Sequence, residues 1–305
     1  MSDASSHLSR APLAVVTGAT AGLGFETAKG LVEAGYRVIL AARSPEKGEI
    51  ACQSIRQHHA DADVHFALLN LDSLSSVRAF AEALRREESS LDRLINNAGI
   101  MALPQRELTE DGIERQFGVN FLSHFLLTSL LMPLLEAADA PRVVQLSSLA
   151  HRSASIHFDD LDGGRHYGAW RAYRQSKLAM LLFAQALARR SDANGWNVLS
   201  VAAHPGLSRT ALFDTGVKSR ALMGKAFKLV MPLISQTAAA GARPTLHAAL
   251  SDEAESGDYF GPDGFSETTG KPRRAHRSKA AQDRAVEDRL WDVACELTGA
   301  VWPTP

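Results

Sequence analysis

The chain has 305 residues, 45% of them hydrophobic and 22% charged, a balance that suits a folded globular protein and excludes a wholly disordered one. Its formal net charge is −1 with the basic residues scattered, so no electrostatic footprint for nucleic acid is present. Two cysteines, Cys52 and Cys295, are too few for a disulfide framework and fit a reducing, cytoplasmic setting.

Residues 1–11 are polar, lack the apolar run of a signal peptide or membrane anchor, and read as a disordered leader before one domain over 12–305. A first strand is predicted at 13–18, LAVVTG, and runs straight into a glycine-rich turn and a helix over 22–34. Further strands are predicted at 36–42, 64–69, 92–97, 142–148 and 197–203, with a short seventh at 258–261. Helical patterns fill 74–88, 110–137, 171–190, 237–250 and 279–298. Short β-branched apolar runs alternating with longer helices are the mark of βαβ units. The predicted fold class is therefore α/β: a doubly wound Rossmann fold with a single parallel sheet of about seven strands and helices on both faces. The most apolar segment, FLSHFLLTSLLMPLLEAA, contains His124, Thr128 and Pro133, so a buried helix explains it better than a membrane span. Two irregular insertions, 152–169 and 207–236, follow late strands, and ligands of such sheets bind at the carboxyl ends of strands.

The turn after the first strand, TGATAGLG, places Gly18, Gly22 and Gly24 where the backbone must curl tightly and approach a pyrophosphate, with Thr20 and Leu23 between them. Its G-x-x-x-G-x-G spacing departs from the common GxGxxG, and its position at the first strand-to-helix turn decides for a dinucleotide. The second strand ends in Ala41, Ala42 and Arg43 instead of a carboxylate, and a guanidinium fork suits a 2′-phosphate. NADP(H) is expected over NAD(H). Further on, Tyr173 and Lys177 stand one helical turn apart in YRQSK. An ammonium there is expected to favour the phenolate and lower the tyrosine pKa from its usual value near 10.

NNAG at 96–99, Asn120, Ser148 in QLSSLAH, and Tyr173 with Lys177 follow the glycine turn in an order that resembles the short-chain dehydrogenase/reductase family, from about Pro12 to Thr298. YRQSKLAMLLF, AAHPGLSRT and RLWDVACELTG are most similar to its branch of retinol dehydrogenases and related bacterial oxidoreductases. The resemblance implies that Tyr173 is the acid/base, that Ser148 polarises the substrate carbonyl, and that Lys177 binds nicotinamide ribose. It makes Asn120 the anchor of a water in the proton relay. It also implies cofactor contacts from Asp72, from Asn97, Ala98 and Gly99, and from Pro205, Gly206 and Thr210 of HPGLSRT. Asp72 reads equally well as a helix N-cap. Ser147 and Ser148 point to opposite sides of a strand end, so only one faces substrate, and the resemblance, in which the catalytic serine directly precedes a short apolar step such as LAH, implies Ser148.

Twenty-five positions separate Ser148 from Tyr173, a long insert whose histidines and aspartates match no zinc or calcium spacing, so no metal is expected and a wall of the substrate pocket is. Residues 207–236 mix Phe213, Leu222, Met223 and Phe227 with Lys218, Arg220 and Lys225, which reads as a lid over a hydrophobic carbonyl or alcohol in preference to a membrane-surface segment. No stable membrane anchor is expected. The helices carrying Asn120 and Tyr173 are apolar on more than one side, from which subunit packing is expected, and the resemblance implies a homodimer or homotetramer. Reduction of a carbon–carbon double bond and non-catalytic NADP sensing are the competing functional readings.

Overall fold

A computed structural model describes residues 11–208 and 236–304. One eight-stranded sheet runs through it in the order β3-β2-β1-β4-β5-β6-β7-β8. The strands are β1 (Leu13–Thr17), β2 (Arg37–Ala42), β3 (Val64–Leu68), β4 (Arg93–Asn96), β5 (Arg142–Leu146), β6 (Leu199–Ala203), β7 (Tyr259–Pro262) and β8 (Pro272–Arg274). All neighbours pair in parallel except β7 and β8, so the expected parallel sheet of seven becomes a mixed sheet of eight. The sequence hides β8 because Pro-Arg-Arg contains no apolar run, and an antiparallel edge partner needs none.

Alternation along each strand divides the core between the two faces. Leu13 and Val15 face one apolar cluster, and Ala14 and Val16 face the other. On the first face lie α3 (Leu74–Glu87), α4 (Arg115–Glu136), α5 (Ala169–Asn194) and α7 (Arg284–Thr298). On the second lie α1 (Gly22–Glu33), α2 (Pro45–His58) and α6 (Ala238–Leu250). Helix α2 is absent from the sequence-based expectations because PEKGEIACQSIRQH is polar overall. Its buried stripe is only Gly48, Ala51, Cys52 and Ile55, spaced three or four apart, with Ser44 capping its first turn.

Boundaries shift where local chemistry intervenes. The helix expected from 110 starts at Arg115, because Leu108 and Glu114 first close an antiparallel bridge. The helix expected from 279 begins as a 3-10 turn, Lys279–Gln282, and restarts at Arg284, where Asp283 accepts the Val286 N–H at 3.1 Å. Helix α4 has the length and hydropathy of a membrane span, yet 89% of that window is buried inside the fold.

The second apolar side of α4 and α5, expected to pack against another subunit, packs against the same chain. Trp291 of α7 and Trp302 lie 5.0 and 5.2 Å from Phe125, and Phe183 joins the same cluster. Burial of these rings accounts for the apolar width of both helices without a partner.

The sheet order reverses between β1 and β4, and the crevice at their carboxyl ends is where a doubly wound sheet takes its ligand.

Candidate active site

At that crevice the chain leaves β1 through Gly18 (φ +66) and enters α1 at Gly22 (φ +59), both in the left-handed region that glycine occupies without cost. Gly24 packs so close that a Cβ would collide with the Gly18 carbonyl and the Asn97 amide. Thr20 and Leu23 are half-buried beside it. Ala21 gives α1 no side-chain cap, and no acidic residue stands in the first turn. The opening N–H groups of α1 therefore suit a phosphate, the anion a helix N-terminus favours. Arg43 is exposed directly beyond β2.

The turn after β4 is tied to the glycine turn. Asn97 donates its amide to the Thr17 carbonyl at 2.7 Å, while the Thr17 hydroxyl accepts the N–H groups of Asn97 and Ala98, each at 2.9 Å. The hydroxyl keeps one proton to donate, and the shorter of its two acceptors is His124 Nε2 at 2.9 Å. His124 must then carry its proton on Nδ1, which donates to the Asn120 carbonyl at 2.9 Å. Burial pulls this histidine down to about 4, so it stays neutral near pH 7.

Asn120 lies in a π-helical turn, Gly118–Leu122, at the start of α4. Its side chain accepts the Ile100 N–H at 2.8 Å and donates to the Ile100 carbonyl and to Ser176 Oγ, both at 2.9 Å. Gly99 is what leaves room here, since a Cβ at that position would stand 3.2 Å from Asn120 Oδ1 and 3.3 Å from Lys177 Nζ.

The two serines after β5 separate as the strand's alternation requires. Ser147 is buried and donates to the Lys177 carbonyl at 2.7 Å. Ser148 stands beside the Tyr173 phenol. The Ser148 hydroxyl also accepts the Ala150 N–H at 3.2 Å, and its backbone carbonyl accepts from His151 Nδ1 at 2.7 Å. Lys177 donates to the Leu146 carbonyl at 2.9 Å, and burial brings it down to about 8. The expectation that Lys177 lowers Tyr173 is not met in this arrangement. Burial raises the phenol, opposed by the neighbouring Ser148 side chain, while the ammonium nitrogen sits 6.0 Å from the ring centre and is turned to Leu146.

Around Tyr173 the surface is apolar: Met101, Ala102, Ala150 and Ala169 pack with it, and the Trp170 ring meets it edge-on at 5.9 Å. The insert builds this wall. Asp160 accepts the N–H groups of Arg165 and His166 and pairs with Arg171, Asp162 pairs with Arg106, and Tyr167 donates to the Leu103 carbonyl at 2.8 Å. Asp160 and Asp162 are thus engaged in ion pairs. Asp72 neither caps α3, whose N-cap is Ser73, nor stands free, since Arg115 holds its carboxylate at 2.9 Å.

Pro205 and Gly206 form the turn after β6. Thr210 and nearly all of the expected lid lie outside the described residues, although a parallel bridge between Ser208 and Gln236 joins the ends of that segment. Sequence reasoning missed the buried connectors Thr17, His124, His204 and Glu267. A lone histidine one turn after Asn120 in an otherwise apolar helix was the available signal for His124.

A family model of short chain dehydrogenases matches residues 12–220. The chain belongs to the short-chain dehydrogenase family. It is an oxidoreductase of that family's retinol dehydrogenase-like branch. Retinol dehydrogenase 12 of Homo sapiens is 41% identical over 94% of this chain and 86% of its own length. Among solved structures, an uncharacterised protein from Mycobacterium paratuberculosis matches with a TM-score of 0.79 and 38% identity, over 96% of this chain and 95% of its own. A short chain dehydrogenase from Shigella flexneri, solved with NADP, matches with a TM-score of 0.64 and 25% identity, over 81% and 95% of the two chains.

Proposed function

We propose that this dehydrogenase uses NADP(H) to interconvert the carbonyl and alcohol forms of a hydrophobic substrate, with Tyr173 as proton donor and acceptor. The observation that carries the reading is the convergence of Ser148 and Tyr173, two hydroxyl-bearing side chains from separate elements, in one corner lined by Met101, Ala150 and Ala169. A carbonyl oxygen placed there receives a hydrogen bond from Ser148 and a proton from Tyr173, as the developing alkoxide requires. Burial keeps the Tyr173 proton in place at neutral pH, which suits donation in the reducing direction. Nicotinamide supplies or takes up the hydride when bound. Lys177 and Asn120 hold the polar floor of this corner, and both roles are assigned from their placement beside Gly99.

Support for NADP(H) over NAD(H) comes from Arg43 at the end of β2 and from the NADP found with the Shigella relative, while the uncapped start of α1 suits the pyrophosphate that both dinucleotides carry. Support for an apolar substrate comes from Trp170 and the surface around Tyr173, and from the retinol named for the human relative. Assembly as a homodimer or homotetramer is proposed with its contact outside the face that α7 and Trp302 cover.

Tyr173→Phe tests the reading. NADPH binding is expected to stay within about twofold of wild type while carbonyl turnover falls about a thousandfold, inside the range general acid catalysis contributes. Unchanged turnover with retinal or other apolar aldehydes removes Tyr173 as the proton donor.

A further inference from the structure

The turn after β6 is gripped by residues that lie far away in sequence. His204, fully buried at the end of β6, accepts the Gly206 N–H on Nδ1 at 3.1 Å. Its proton is therefore on Nε2, which donates to Glu267 Oε2 at 3.0 Å. The same carboxylate oxygen receives Arg152 Nη2 at 2.6 Å, and Oε1 accepts the His276 N–H at 3.0 Å. Glu267 is 6% exposed. Burial alone pushes its carboxyl up, but the His204 and His276 hydrogen bonds and the Arg152 charge outweigh that and hold it at about 2.

The backbone is shaped to deliver this carboxylate. Ser266 (φ 51) and Glu267 (φ 58) both occupy the left-handed region without being glycine, a conformation that persists only where its surroundings enforce it. Directly after them, the Thr268 carbonyl accepts the Leu207 N–H at 2.7 Å, and a Cβ at Gly206 would strike that carbonyl. Gly261 lets the His204 ring lie against the strand, where any side chain would displace it.

We propose that Glu267 is a positioning residue that fastens two parts of the site together: through His204 the Pro205–Gly206 turn, and through Arg152 the segment that carries Ser148. Arg152 follows Ser148 by four positions in the 3-10 turn Leu149–Ser153, and it also donates to the Ser266 carbonyl at 3.3 Å. One buried carboxylate thus sets the distance between the hydroxyl that meets substrate and the turn that meets the nicotinamide. The inference rests on the proposed cofactor reading, with Pro205 and Gly206 meeting that cofactor as the family resemblance implies.

The test measures NADPH affinity directly, by the fluorescence of the bound dinucleotide, alongside turnover and thermal melting. Glu267→Gln keeps the size and loses the charge, and it is expected to weaken NADPH about tenfold at temperatures where the fold is intact. Adding His204→Asn to it is expected to cost no further affinity, since both changes cut one path. Arg152→Gln is expected to lower kcat with NADPH affinity kept within about twofold. A merely structural carboxylate would shift melting and leave affinity and kcat moving together. Should Glu267→Gln fail to fold, Glu267→Asp retains the charge on a shorter arm and is expected to show an intermediate affinity. Wild-type NADPH affinity in a folded Glu267→Gln protein, or additive losses in the double variant, overturns the proposal and leaves the cofactor reading standing. A wild-type protein that binds neither NADPH nor NADH overturns both.

Discussion

Two strand-end turns bound this site, and they are held by opposite means. After β1 the chain is held by space and neutral hydrogen bonds: positive φ at Gly18 and Gly22, a bare Cα at Gly24, and a threonine hydroxyl that ties in Asn97, Ala98 and His124. After β6 it is held by a buried carboxylate between an arginine and a histidine. The difference follows from what each turn has near it. The first lies where two central strands meet at the topological switch, so neighbouring backbone can satisfy it. The second lies toward the β7–β8 edge, where side chains from a distant hairpin must reach in. One turn is sensitive to volume and the other to charge.

The largest expected effect comes from filling the first turn. Gly24→Val sets a branched side chain against the Gly18 carbonyl and Ala19, backbone atoms that cannot swing aside. A loss of about 3 kcal/mol in urea unfolding is expected, the upper range for overpacking. A loss below a few tenths would show that this helix and strand have slack.

Acid separates the buried histidines from Glu267 next. His124 and His151 are drawn from 6.5 to about 4, so between those values the unfolded chain binds protons that the folded chain does not. Their contribution is present in full above pH 6.5 and is lost as pH falls through 4. Glu267 is drawn from 4.5 to about 2, so its contribution persists lower and is lost as pH falls from 4.5 through 2. Urea midpoints are expected to decline from pH 6.5 downward. The gap between wild type and Glu267→Gln is expected to close only below pH 4.5. A midpoint that stays level to pH 4 contradicts the neutral, buried histidines.

The smallest effect concerns the outer edge of the first turn. Arg43→Ala is expected to weaken NADPH about tenfold, the worth of one charge-assisted contact, with NADH changed by less than about twofold. Equal losses for the two dinucleotides would detach Arg43 from the 2′-phosphate.

Much of the site could be read from sequence because its signals are local. A strand ending in TGATAGLG, a tyrosine and lysine one helical turn apart, and a serine at a strand end each carry their meaning within a few residues, and their order supplies the family. That only one of Ser147 and Ser148 faces the crevice was also legible, since a strand's period of two sends neighbours to opposite sides, and Ser147 is found turned to the Lys177 carbonyl, whereas Ser148 itself was selected by the family resemblance. The polar helix α2 and the strand β8 were not legible, because their apolar content is too small to show a period.

By itself the sequence determined the doubly wound sheet, the glycine turn and the order of Asn120, Ser148, Tyr173 and Lys177, because hydrophobic period and backbone conformational need are properties of neighbouring residues. Tertiary structure alone decided that α7 and Trp302 cover the apolar backs of α4 and α5, and that burial outweighs Ser148 at the Tyr173 phenol. It alone joined Glu267 to His204 and Arg152. Solvent exclusion and long-range contact set pairings and proton affinities, and neither exists until the chain has closed on itself.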